Sequence, residues 1–359
     1  MVRHLLILCT IPALLGCKRE RPKEATPAPP ARTRSKPEAP APVAEPTRPP
    51  HPMFGTEIGL DHVGIAVKDL AAAKRTFTRT LGFRNPLEGR LPNGLDNVVF
   101  YFKDATYIEL LTPYDRKKAA WYASFLEKFQ GVVFYVLAIS DAQRTGAYLA
   151  RHGAALTKPR SGTIRLKGET KKPGELWQTF FLKNSPIKHD PFFFIRYRPE
   201  SRRGLRDKLK SPAIRRRYFG HTNSALRFAA VWQAVPDLKR AVKEYESVGF
   251  TAGEAFEEPR LQADGRVIEA GQGSILLLAP QNEKSVVARF IKDRGRPMCI
   301  GLSIEVGLVA RTRMLLKHTT SNNHAVSMGP RGPSILLPPE ATHGIWLELF
   351  QRKPRGAGR

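Results

Sequence analysis

The stretch GLDHVGIAVKDLAAAKRTFTRTLGF, residues 59–83, decides the fold, because its hydrophobic period changes partway from strand alternation to helical spacing. Val63, Ile65 and Val67 alternate with His62, Gly64 and Ala66, as in a strand buried on at least one face. Asp69 suits a helix N-cap, Leu70, Ala73, Phe77 and Leu81 share one helical face, and Gly82 suits the exit. After a turn around Pro92-Asn93-Gly94, the runs Asn97 to Phe102 and Thr106 to Leu111 read as strands. The unit is therefore a strand, a helix and two or three further strands.

The same order recurs in FAAVWQAVPDLKRAVKEYESVGF, residues 228–250, closed by a strand from Gly273 to Pro280. Asp69 and Asp237 stand 168 residues apart, whereas Gly82 and Gly249 stand 167 apart, as do Pro113 and Pro280. One offset thus aligns the whole unit, with a slip of one residue inside the helix. Weaker copies fit at Val132 to Ile139 with a helix from Asp141 to His152, and at Ile300 to Val306 with a helix near Val309 to His318. Four units make a repeat, and an α+β class of four βαβββ modules follows.

The segments Leu60-Asp61-His62-Val63, Asp69-Leu70, Leu81-Gly82-Phe83 and Tyr107-Ile108-Glu109-Leu110 resemble the vicinal oxygen chelate superfamily, which holds the glyoxalases, bleomycin-resistance proteins and extradiol dioxygenases. Asp190 to Ile195 and His221 to Ala225 are similar to its glyoxalase-like branch. The resemblance covers about residues 58 to 350, strong in the first module and weak in the fourth. It implies paired modules whose sheets curl around a cleft, hence two such domains, about 55–200 and 222–351, joined by a basic link at 201–221.

In metal-using members, the resemblance implies, ligands come from the first and last strands of the paired modules, and a divalent ion holds two neighbouring substrate oxygens. Registered on the helix starts, the first-strand positions here are His62, Phe134, Ala230 and Ile300, and the closing-strand positions are Glu109, Arg196, Leu276 and Glu348. The first cleft then offers His62 and Glu109 as metal ligands or as an acid and base, facing Phe134 and Arg196 as ligand-binding residues. Two donors opposite an arginine are a degenerate site, and the second cleft has Glu348 alone. Glu109 lies on an apolar strand and needs a partner, with Arg196 or His62 the nearest choices. Asn97 reads as an orienting amide on the cleft rim or as a turn cap. His221 and Asn223, on the link, read as capping a helix or reaching into a cleft.

Outward from the repeat, Met1 to Gly16 has the form of a signal peptide, with Arg3 before an apolar stretch too short to span a bilayer. It ends Leu14-Leu15-Gly16-Cys17, which resembles a bacterial lipobox and implies that Cys17 carries lipid. Residues 18–52 hold 11 of the chain's 30 prolines and no apolar periodicity, so 17–54 reads as anchor and disordered tether. Cys299 would then be the one thiol left, which rules out an intrachain disulfide. The chain has 59 Lys plus Arg against 32 Asp plus Glu, a formal charge of +27. Ten of those bases lie between Arg196 and Arg217, and a basic tail closes the chain at 352–359. Such charge suggests nucleic acid in a cytosolic chain, but behind a lipid anchor the expected surface is the membrane of a bacterial envelope, on its periplasmic side.

Three readings of function follow: a lyase, isomerase or dioxygenase acting on a small molecule, with a divalent metal at a degenerate site or none; a non-catalytic protein that sequesters a small molecule, as bleomycin-resistance members do; and an envelope protein that keeps only the fold. The loss of half the ligand positions favours the second over a metalloenzyme, since a binder needs only a shaped cleft.

Overall fold

A computed structural model describes residues 50–166, 174–183, 185–187, 191–200 and 211–353. The signal segment, Cys17, most of the tether, residues 201–210 of the basic link and the tail beyond 353 lie outside the described residues. No helix among the described residues is long and apolar enough to cross a membrane.

The first module contains β1 (Gly59–Ala66), β2 (Leu87–Arg90), β3 (Leu95–Tyr101) and β4 (Tyr107–Pro113). The second contains β5 (Gly131–Ala138), β6 (Ala155–Leu156), β7 (Arg160–Gly162), β8 (Arg165–Leu166), β9 (Trp177–Phe180), β10 (Leu182–Lys183) and β11 (Phe192–Tyr197). The third contains β12 (Ala225–Ala234), β13 (Ala252–Glu258), β14 (Ala263–Ala270) and β15 (Gly273–Pro280). The fourth contains β16 (Cys299–Val306), β17 (Ser327–Gly329), β18 (Gly332–Leu337) and β19 (Trp346–Phe350).

Two large sheets result, of order β7-β9-β11-β5-β1-β4-β3-β2-β8 and β13-β14-β15-β12-β16-β19-β18-β17. In every module the first strand lies parallel to the last, β1 on β4, β5 on β11, β12 on β15 and β16 on β19. The modules join in pairs through their antiparallel first strands, β1 to β5 and β12 to β16. Each sheet is a paired-module α+β unit, as the repeat predicts.

The helices show why the repeat carries a slip. Asp69, Asp141 and Asp237 each accept a backbone N–H from the first turn of the helix they open, and Gly82 and Gly249 leave their helices at φ +79° and +89°, which a side chain disfavours. The third-module helix Leu238–Ser247 is regular, but the first runs as an α-helix only over Leu70–Arg75 and then widens into a π-turn over Thr76–Thr80. A π-turn takes up one extra residue without shifting the flanking faces. The single-residue slip in the sequence is that residue.

The two sheets share one core. Phe54 and Phe192 of the first half meet Phe250 of the second, and the hydroxyls of Tyr135 and Tyr245 lie 3.0 Å apart within the interface. Gly59 and Gly271 form a bridge between the halves, each at positive φ, and a Cβ on Gly59 would stand 2.3 Å from the Ala270 carbonyl oxygen. His221 sits on the link and is buried against Phe83 and Phe102. Its Nδ1 accepts the Arg84 N–H and its Nε2 donates to the Tyr101 carbonyl, both at 2.9 Å, so the ring is neutral with its proton on Nε2. Asn223 is likewise structural, donating to the Leu81 carbonyl at 2.7 Å.

The basic link is more than a solvated connection. Its helix Pro212–Phe219 buries Tyr218 and Phe219 against Val99, Tyr101 and Tyr107, the back of the first cleft. One segment of the second module also crosses that cleft. β7 pairs with β9 at one edge of the first sheet, β8 pairs with β2 at the other, and only Thr163 and Ile164 separate them.

Candidate functional site

The first sheet encloses a cavity of about 600 Å³ lined by residues of both its modules, with Ser161 to Ile164 of the crossing segment among them. Of the residues singled out in the sequence, His62, Asn97, Glu109 and Phe134 line it. The register places His62 beside Tyr107 and Gly64 beside Glu109 on the parallel pair β1 and β4, so the imidazole and the carboxyl share a face on neighbouring strands. Gly64 keeps that face open. A Cβ there would stand 2.3 Å from the Phe134 ring, which lies across it from β5.

His62 is 4% exposed and stacks on Tyr107 with centroids 4.1 Å apart, while Phe134 meets its edge. Its Nδ1 lies 2.8 Å from Asp61 Oδ2, and Asp61 is wholly buried. The same Oδ2 accepts the Tyr197 hydroxyl at 2.7 Å, and that hydroxyl lies 3.3 Å from the Tyr107 hydroxyl. A carboxylate on Nδ1 holds the imidazole proton there and leaves Nε2 as the basic nitrogen. Asp61 reaches this place because β1 carries an irregularity between Leu60 and His62; otherwise consecutive side chains would point to opposite faces.

Glu109 is 7% exposed and accepts the Asn97 side-chain amide at 2.7 Å. Burial raises its carboxyl above the usual range, an effect opposed by His62 and by the Asn97 hydrogen bond. The group therefore holds its proton more firmly than an exposed glutamate, which suits a general acid. Asn97 is a buried residue of β3 rather than a turn cap, and its Oδ1 has no hydrogen-bond partner among the described residues. Burial likewise raises the Tyr122 phenol, and Tyr107 lies well above its ordinary value through burial and the neighbouring Tyr197.

Arg196 is a correction to the sequence reading. Alternation along β11 places Arg196 on the face of Phe192 and Phe194, which belong to the shared core, and it does not line the cavity. The neighbouring Tyr197 takes part in the site instead. Gly64, five residues before its helix cap, corresponds to Val136, five before Asp141, and Val136 pairs with Phe193 as Gly64 pairs with Glu109. The position opposite Glu109 is thus Phe193, and the expected Glu109–Arg196 pair is replaced by Glu109–Asn97. Asp61, Tyr107 and Tyr197 were not identified from sequence as site residues.

These donors do not fit a tightly held divalent ion. His62 and Glu109 face the phenyl rings of Phe134 and Phe193, Asn97 already holds Glu109, and burial favours the protonated carboxyl over the anion a metal needs. Among the described residues no group of three or more His, Cys, Asp or Glu is arranged to hold a metal.

The second sheet fills its own concave face. Ala230, Leu276 and Ile300 join Trp232 and Val287 in one apolar cluster. Glu348, wholly buried, receives Arg260 Nη2 at 2.9 Å and Ser303 Oγ at 2.7 Å. Arg260 also holds the wholly buried Glu258, through Nη2 at 2.6 Å and Nε at 2.7 Å. A guanidinium occupies the position next to the closing-strand carboxylate, and Arg331, half-buried nearby, has its own value lowered to about 10 by desolvation. Glu305 pairs with Arg227 and Arg352, His343 with Thr76, and His324 with Thr320, so none of the three completes a second site.

Comparison with known proteins agrees with this architecture. No curated protein matches the chain. Among solved structures, a hypothetical protein from Staphylococcus aureus is similar at 13% identity and TM-score 0.53, covering 81% of this chain and 98% of that one. Methylmalonyl-CoA epimerase from Mycobacterium tuberculosis is 20% identical with TM-score 0.34, over 37% of this chain and 91% of that one. The family model described as a glyoxalase-like domain matches residues 60–249, more than half of the sequence, and the chain belongs to that family within the vicinal oxygen chelate superfamily.

Proposed function

We propose that the first cleft performs proton transfer on a small molecule, as an isomerase or lyase without a resident metal, with His62 as base and Glu109 as acid. The supporting observation is the pairing of two proton-transfer groups in a largely apolar cavity, each held by a buried partner, Asp61 behind His62 and Asn97 beside Glu109. Such groups act on a carbon next to a carbonyl by removing a proton at one face and protonating the oxygen. The test incubates the protein in deuterated water with a panel of hydroxyketones and diketones, and follows exchange of carbon-bound hydrogen by NMR. Exchange on any probe that raises the melting temperature is expected to fall by about 10²-fold or more in His62→Gln and Glu109→Gln, with binding retained. Probes that bind but never exchange would overturn catalysis in favour of the sequestering protein.

The lipobox motif supports placing this cleft at a bacterial membrane, held there by a lipid on Cys17. Labelled palmitate is expected to be incorporated by the chain and lost in Cys17→Ser. Incorporation that survives the substitution would refute the anchor.

A further inference from the structure

The cavity divides its chemistry unevenly between its two modules. Its acidic and basic side chains, His62, Glu88 and Glu109, all come from the first module, as do Tyr101 and Tyr107. Glu88 is already neutralised at the surface by Lys74. The second module contributes Phe134, Trp177, Phe181, Phe193 and Ile195, and its polar groups there are the hydroxyls of Ser161, Thr163 and Thr179. The titratable groups therefore lie on one wall, and the other is mainly ring faces with a few hydroxyls.

A second observation concerns charge. The chain carries 59 Lys and Arg residues, yet among the described residues none of them lines this cavity. Bases stand immediately outside it: Arg160 and Arg165 on the crossing segment are exposed, and Arg90 lies in register with Arg165 and is paired with Asp96. An anion drawn to that surface would lose its hydration on entering and meet no lysine or arginine among the described lining residues, with Glu109 in the wall and Asp61 behind His62 instead. Removing a carboxylate from water without a partner is strongly unfavourable. A cation gains little in compensation, because burial holds Glu109 towards its neutral form and Asp61 is occupied by His62 and Tyr197.

We infer that the ligand of the first cleft is an uncharged, ring-bearing molecule with a hydroxyl or carbonyl at one edge, and that anionic substrates are excluded. The inference builds on the proposed function by naming its substrate class. The ring lies against the Phe134, Phe193 and Trp177 wall, and its oxygen meets His62, Asn97 and Glu109. Asn97 Oδ1, without a hydrogen-bond partner among the described residues, marks where hydrogen-bonding capacity remains on the polar wall.

The test uses three probes of one skeleton, naphthalenemethanol, naphthalenecarboxylate and naphthalenemethylammonium, titrated against the full chain near neutral pH with tryptophan fluorescence as the readout. The alcohol is expected to bind at least about tenfold more tightly than either ion, since one unpaired buried charge exceeds that difference. Thr179→Lys, which places an ammonium on the apolar wall, is expected to admit the carboxylate. Equal binding of the alcohol and the carboxylate, a preference for either ion, or binding of none of the three would overturn the inference. Binding is read without any reaction, so this result and the deuterium exchange fail independently: selective binding without exchange removes only the catalytic reading, and exchange on an anionic probe removes only the exclusion of anions.

Discussion

Arg260→Met is expected to destabilise the protein by about 3–5 kcal/mol. The methionine keeps most of the aliphatic stem but removes the charge that two carboxylates share. Glu258 and Glu348 have wholly buried side chains, and Arg260 bonds to both and to Ser334 Oγ at 2.8 Å. Ser303 and Trp232 extend the network, since Trp232 Nε1 donates to Ser303 Oγ and Ser303 to Glu348. Without the guanidinium both carboxylates stay sealed from water with their charges unopposed by it, and must either protonate or unfold the sheet. Urea unfolding near neutral pH measures the loss, and the triple variant carrying Glu258→Gln and Glu348→Gln as well should recover most of it. A loss below about 1 kcal/mol would mean that the network is hydrated or contributes no more than an exposed pair such as Arg90–Asp96.

Acid is expected to weaken the protein through His221 well before the bulk of its carboxylates titrate. Burial is the main cause that lowers this imidazole to about 4, with the Tyr101 carbonyl opposing it. The folded state therefore binds a proton less readily than the unfolded chain, whose histidine titrates near its ordinary 6.5. Between those two values the unfolded state holds more protons, so stability falls as pH falls through this window and is complete above it. The difference of roughly 2.5 units corresponds to about 3 kcal/mol, most of it lost by about pH 4.5. Urea titrations at about pH 7.5 and about pH 4.5 compare wild type with His221→Gln. The wild type should lose about 2–3 kcal/mol more than the variant over this interval, and parallel losses in the two proteins would show that His221 is not the sensor.

Much of the architecture can be read from sequence because it depends on short-range chemistry. Asp69, Asp141 and Asp237 mark helix starts through caps that need no tertiary partner, and the alternation about Ile65 and Val231 marks central strands. Even the slip between Gly82 and Gly249 has a local origin, the π-turn at Thr76–Thr80. Features that depend on registration between strands are not legible in this way. Arg196 and Tyr197 are neighbours in sequence, and which of them reaches Asp61 behind His62 depends on the register of β11. Asp61 reads as an ordinary polar residue until the irregularity in β1 aims it at His62. Glu109 was identifiable as a carboxyl in need of a partner, but Asn97 lies on a third strand and becomes that partner only when β3 pairs with β4.

The segment from Arg160 to Leu166 connects the opposite margins of the first sheet through two short ladders. Its middle touches the cavity, and a Cβ on Gly162 would run into the Trp177 indole. Each ladder comprises only two or three residue pairs, and Ile164 between them is buried against Leu176. One boundary of the cleft is thus fixed by a seam of backbone hydrogen bonds as well as by the side chains of its walls.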